Sequence, residues 1–193
     1  MGAVLNRASK QYIEFVNTPD YDPSIWVIDP DLTAVAGIAP MFWMINSDDT
    51  IGQMTASQID TVYLSTAIET VCDQVSAKCT SILYGGFTYN GTKYDSDTQS
   101  IANLTGTQTL INAGVTLPSN FTWRDANNVN HPYTNATFTD LFACSAMWLE
   151  AVYLTSWTHK ANIAALTHYA DVMSYNYATG WPTGILNDTI IFT

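Results

Sequence analysis

Apolar residues recur along residues 133–179 at helical spacing, and no glycine or proline interrupts them. Phe138, Phe142, Ser145, Leu149, Val152, Ser156, His159, Ile163 and Leu166 follow one another in alternating steps of four and three. A second stripe with Leu141, Trp148 and Leu154 makes the apolar face wider than a coiled-coil seam. Thr134 stands where a helix cap belongs. The spacing therefore predicts one helix over 135–167, about 50 Å long, and a short second one that stops at Gly180-Trp181-Pro182. A compact chain of this size has a radius of gyration of about 16 Å, so such a helix would span or overhang its subunit. The alternative, two antiparallel helices inside one monomer, has only Thr155–Thr158 as a weak place to turn.

Upstream the pattern is more broken. Pro19, Pro23, Pro30 and Pro40 punctuate the first fifty residues, which read as an extended arm with short strands at Ile25–Ile28, Met41–Ile45 and Ile51–Met54. Asn46-Ser47-Asp48-Asp49 is a turn between the last two. Thr55-Ala56-Ser57-Gln58 has the form of a capping box, with Met54 and Ile59 placed as a hydrophobic staple. Leu64, Ile68, Val71 and Val75 continue that helix, which is expected to end near Lys78 and to be followed by a strand at Ser81–Tyr84. Phe87 to Tyr94 is a hairpin turning at Asn90-Gly91. A helix over 98–112 closed by Gly114 follows, then a second hairpin, Phe121–Trp123 with Val129–His131. The organisation expected is an arm at 1–54, a helical connector at 55–79, a domain at 80–182 and a tail at 183–193. The fold class is α+β.

Composition narrows the function. Charged residues make up 12% of the chain, about half of the usual share, and Thr, Asn and Ser replace them. So weakly charged a surface suits contact with partner subunits. A net charge of −11 with six scattered basic residues argues against nucleic acid, whose phosphates call for clustered Lys and Arg, and against anionic lipid. Leu141–Trp157 is the most membrane-like stretch, but Glu150 near its centre would cost on the order of 2.5–3.5 kcal/mol at mid-bilayer, so no membrane span is expected. The first ten residues lack the apolar core of a secretory signal. The Asn-x-Thr sequons at Asn90, Asn103, Asn120, Asn135 and Asn187 are then incidental. Cys72 and Cys79, seven apart on a helix, lie roughly 10 Å apart along its axis and cannot form a disulfide. The three cysteines read as buried thiols of a reducing cytoplasm.

Candidate chemistry is thin. His159 and His168 are nine apart and would face opposite sides of a continuous helix, and His131 sits in a turn, so no metal pair arises. Asp20/Asp22, Asp29/Asp31, Asp48/Asp49 and Asp95/Asp97 are paired carboxylates, none of which continues into a calcium loop; turns and caps are their expected place. Nucleophile elbows, zinc-protease helices, phosphate loops and dinucleotide fingerprints are missing from the sequence. The expectation is a protein that is not an enzyme, with no catalytic residue, cofactor or metal. Its 24 aromatic residues suit protein interfaces or, together with Asn and Asp, a sugar-binding surface.

Several separated motifs carry a resemblance. Gly86-Phe87-Thr88-Tyr89-Asn90-Gly91-Thr92-Lys93-Tyr94-Asp95, then Asp97 and Ser100, Phe121-Thr122-Trp123-Arg124-Asp125 with Asn127 or Asn128, Lys160-Ala161-Asn162-Ile163 and Gly180-Trp181-Pro182 occur in that order. Over roughly residues 80–182 the chain resembles a domain of unassigned function found in tail fibres of tailed bacteriophages and in relatives of tail-fibre assembly proteins. Pro30-Asp31-Leu32-Thr33-Ala34-Val35-Ala36-Gly37, Phe42-Trp43-Met44-Ile45 and Gln53-Met54-Thr55-Ala56 resemble a segment of phage structural proteins, with Gln58 and Ile59 where Glu and Lys are usual.

The resemblance implies a virion protein of the phage tail, made in the host cytoplasm, that assembles with itself and docks on other tail or fibre proteins. A trimer is preferred, by analogy with fibres. It also implies two rivals, an assembly chaperone absent from finished particles and a module that binds a host-surface glycan. Self-association is assigned to Phe138, Phe142, Leu149, Val152, Ile163 and Leu166, each contributing roughly 1.5–3 kcal/mol when buried.

Overall fold

The computed structural model describes residues 1–186 and 189–192 of the chain, so the sequon at Asn187 and residues 187, 188 and 193 of the expected tail lie outside the described residues. The protein is α+β and divides into two compact units, Met1–Ser65 with Thr167–Tyr169, and Thr66–Leu166 with Ala170 onward.

The first unit corrects the expectation of an extended arm. β1 (Gly2–Asn6) pairs antiparallel with β2 (Tyr12–Val16) on one side and with β3 (Trp26–Ile28) on the other. β4 (Trp43–Ile45) and β5 (Ile51–Gln53) form a separate hairpin, closed by the expected turn with Asp49 in the left-handed region at φ 65°. Leu5, Val27, Val35 and Ile51 are buried together, with Leu32, Ile38, Trp43 and Ile45 around them. The prolines mark short 3₁₀ turns at Thr18–Asp20 and Pro40–Phe42 between strands. Each short strand is weak alone, and the shared core holds them. Arg7 clamps the β4–β5 turn with two hydrogen bonds to Asp49, 2.6 and 2.8 Å. Asp60 lies 2.9 Å from His168 Nδ1 and accepts from the Tyr169 backbone N–H at 2.7 Å, and the His168 contact, then the Tyr169 bond, hold its carboxyl below the usual carboxylate range.

α1 (Ala56–Tyr84) begins at the predicted capping box. Thr55 N–H donates to Gln58 Oε1 at 2.8 Å, and Gln58 N–H donates to Thr55 Oγ1 at 3.3 Å. It does not end near Lys78, and the strand expected at Ser81–Tyr84 is its last turn. Cys79, Ile82 and Leu83 extend the stripe of Val71 and Val75, and Gly85-Gly86 is the true stop.

In the second unit, β6 (Phe87–Tyr89) and β7 (Thr92–Tyr94) form the predicted hairpin, with Asn90 and Gly91 at φ 46° and 83° as a type I′ turn requires. α2 (Thr98–Asn112) has the predicted bounds, its first turn capped by the Asp97 carboxylate. β8 (Thr122–Arg124) and β9 (Asn130–Pro132) form the second hairpin. α3 (Asn135–Ala164) starts at a capping box of Thr134 and Thr137. α4 (Tyr169–Met173) is the short helix after it.

The sequence reading assigned no element to 183–193. β10 (Pro182–Leu186) and β11 (Thr189–Phe192) pair there and join the first hairpin in one sheet, ordered β11-β10-β6-β7, with β10 parallel to β6. α3 lies on this sheet and on α2. Its Trp148 packs against Phe87 with ring centroids 5.6 Å apart, and Phe138 is caged by Phe121, Trp123 and Tyr133.

Candidate functional site

The long helix presents two unlike faces. Phe138, Leu141, Trp148, Val152 and Ile163 are buried inside the subunit. Met147, Tyr153, Leu154 and Trp157 point to the other side and stand exposed, Trp157 by 61% and Leu154 by 49%. Tyr153 and Trp157 stack on each other at 6.2 Å. Ala143, Ala146, Ala161 and Ala164 are exposed on the same side, and Glu150 is the formal charge among them. At 100° per residue these positions form one ridge centred near Glu150. Nearby, β11 leaves Phe192 and Ile191 exposed, and Phe192 lines a shallow cavity of about 370 Å³ with Leu154, Thr158 and Asn162. An apolar ridge of aromatic and aliphatic side chains suits a protein interface.

This arrangement corrects the predicted self-association seam. Of the six residues assigned to it, Phe138, Val152 and Ile163 are fully buried among the chain's own side chains. Phe142, Leu149 and Leu166 are half-buried, and Leu149 lines a cavity with Tyr84, Ile101 and Tyr153. The heptad steps trace the stripe that faces the subunit's own sheet. Periodicity reports that a face is covered, not by which chain. The exposed ridge was legible only in part, through Leu154 of the second stripe. Met147, Tyr153 and Trp157 became visible as a set once the covered side was known.

The polar candidates have structural partners. Asp125 Oδ1 accepts from the Asn127 and Val129 backbone N–H groups, both at 2.8 Å, and Oδ2 lies 3.0 Å from His131 Nε2. His159 Nε2 is 3.2 Å from the Thr179 carbonyl oxygen, which can only accept, so this nitrogen carries the hydrogen. Nδ1 then accepts from the Tyr175 hydroxyl at 2.9 Å, and Asn162 Nδ2 donates to the same hydroxyl oxygen at 3.3 Å. The histidine thus fastens the segment after α4 to α3. Asp22, Asp31 and Asp48 accept backbone N–H groups from Ser24, Thr33 and Thr50 as turn residues do. Cys72, Cys79 and Cys144 are not joined in a disulfide. Among the described residues, no helix is long and apolar enough to cross a membrane.

A long helix leaning on a mixed four-stranded sheet, with one covered and one bare face, defines a small α+β protein whose clearest surface feature is an exposed apolar ridge. Residues 66–179, more than half of the chain, match the family described as a domain of unknown function, DUF4376, and the chain belongs to that family. No curated protein and no solved structure matches it.

Proposed function

We propose that this protein is a structural component of a tailed-phage virion, an adaptor at the tail or at a fibre attachment site, that works by self-association and docking on neighbouring tail proteins. The exposed ridge of α3 carries the reading. Met147, Tyr153, Leu154 and Trp157 offer a second copy of the chain an aromatic and aliphatic surface crossed by one carboxylate, Glu150. Truncation of such anchors removes most of the affinity of an interface. The low charge content and the resemblance of the motif order to that of phage tail proteins support the same role. Copies meeting through these ridges, three by preference, would build a bundle of long helices.

Two measurements test this. Light scattering on the purified chain is expected to give an oligomer that Trp157→Asp converts to monomer without loss of helical signal. Mass spectrometry of purified virions from an infected host is expected to find the chain in the finished particle. A monomer at high protein concentration removes the self-association. Absence from the particle, with presence in the infected cell, replaces the structural role with that of an assembly chaperone.

A further inference from the structure

The end of β7, the start of α2 and the β8–β9 hairpin enclose a cleft of about 270 Å³. Its lining comes from motifs far apart in the sequence. Some of these residues are occupied: Asp125 by its turn and His131, and Ser100 by the Asp97 carboxylate at 2.6 Å. Others are not. Asp95 and the Asn128 side chain have no hydrogen-bond partner among the described residues, and Arg124, which also lines the cleft, bonds through Nε to Asn130 Oδ1 at 3.3 Å and through no other side-chain nitrogen among them. Asn103 spends its oxygen on Gln99 at 2.8 Å and keeps its amide hydrogens. Asp95 and Arg124 line one cavity without forming an ion pair with each other. Trp123 supplies an aromatic wall, half-buried and wedged by Phe138 at 5.1 Å and 68°.

We propose that this cleft binds one ring of a neutral saccharide. A sugar hydroxyl donates and accepts at once. It can give its hydrogen to the Asp95 carboxylate while its oxygen takes hydrogens from Arg124, Asn103 or Asn128. Donors and acceptors interleaved beside an aromatic wall suit that pairing. The apolar C–H face of the ring lies on Trp123. The lining holds two carboxylates, Asp95 and Asp125, against one guanidinium, Arg124, so an anion meets more repulsion than attraction, and the chain's net charge of −11 further disfavours it. The volume lies just below the range of pockets for drug-sized ligands, the scale of one ring. This inference does not depend on the assembly role, since the cleft lies within one subunit and away from the α3 ridge residues.

The test is saturation-transfer NMR on the full chain with the methyl glycosides of glucose, galactose, mannose, rhamnose and N-acetylglucosamine, and with methyl glucuronoside as the anionic comparison. At least one neutral glycoside is expected to bind. Asp95→Ala and Arg124→Gln, at residues that hold no part of the core, should each weaken it at least tenfold with an unchanged circular dichroism spectrum. Lys78→Gln, on a different cleft, should leave it as it was. The proposal fails if no neutral glycoside binds, if only the glucuronoside does, or if binding survives both cleft variants.

Discussion

The hydroxyl groups of Tyr94 and Tyr133 lie 2.7 Å apart, joining the end of the first hairpin to the residue that precedes the cap of α3. Tyr94 is buried and Tyr133 half-buried. Burial, then the bond to Tyr94, pushes the Tyr133 hydroxyl above the ordinary tyrosine value. Tyr133→Phe leaves a buried hydroxyl without its partner, which costs about 1–3 kcal/mol. The double variant with Tyr94→Phe removes both hydroxyls and should cost less than the sum of the single changes. Urea denaturation of the four proteins measures this coupling. The raised value also has a pH consequence. Stability from Tyr133 is whole below the ordinary tyrosine pKa of about 10 and declines above it, because the unfolded chain ionises first. Tyr133→Phe should flatten that alkaline decline.

Asp125 gives the opposite sign at the acid end. The bond from His131, then the backbone N–H groups of Val129 and Asn127, hold its carboxyl below the usual carboxylate range. The stability it contributes is present above the unfolded value, about pH 4, and is lost as pH falls toward the folded value. Asp125→Asn keeps the shape but gives up the charge-assisted bonds. The variant should melt several degrees lower at neutral pH and show a shallower loss of stability below pH 4 than the parent. Thermal melts across pH 2.5–7 (a range chosen to bracket carboxylate titration) separate the two slopes.

The two faces of α3 should respond to substitution in different ways. Ile163→Ala empties a fully buried site and should cost about 2–5 kcal/mol in chemical denaturation. That loss belongs to the subunit and appears even in a dilute monomer. Leu154→Gln on the ridge should stay within about 0.5 kcal/mol of the parent and instead shift the association equilibrium measured by sedimentation. Glu150→Gln should tighten association, since ridges that meet around an axis bring like charges together.

Local signals in the sequence were the reliable ones. Thr55 with Gln58, Asp97 before α2, Asn90-Gly91 and Thr134 each act on backbone groups a few residues away, so their chemistry is complete in the sequence itself. Ser81-Ile82-Leu83-Tyr84 was read as a strand because its side chains suit one. The unbroken stripe of α1 overrides that preference, and Gly85 supplies the stop. The parallel pairing of β10 with β6 joins segments nearly a hundred residues apart, and the sequence near either strand carries no mark of it. The core of the first unit hid for the same reason, since Leu5, Val27, Val35 and Ile51 meet only in space. Asp95, Trp123, Arg124 and Asn128 were visible as pieces of motifs, but their common cleft was not.

Gly184 tests that non-local pairing directly. It sits in β10 opposite Thr88 of β6, and a Cβ at this position would collide with the Thr88 carbonyl oxygen and crowd the Thr88 Cβ at 2.8 Å. The obstacle is backbone, so no side-chain rotation relieves it, and the two strands must move apart. Gly184→Ala should therefore detach β10 and β11 from the first hairpin while leaving the hairpin's own β6–β7 ladder intact. Hydrogen exchange is the direct measurement. The Asn90 N–H, which donates to the Ile185 carbonyl at 3.0 Å, should lose protection, while the Phe87–Tyr94 pairing keeps its own. Ala at neighbouring Thr183, exposed on the same strand, is the matched control and should change little. Equal protection of Asn90 in Gly184→Ala and the parent would show that β10 is not seated against β6.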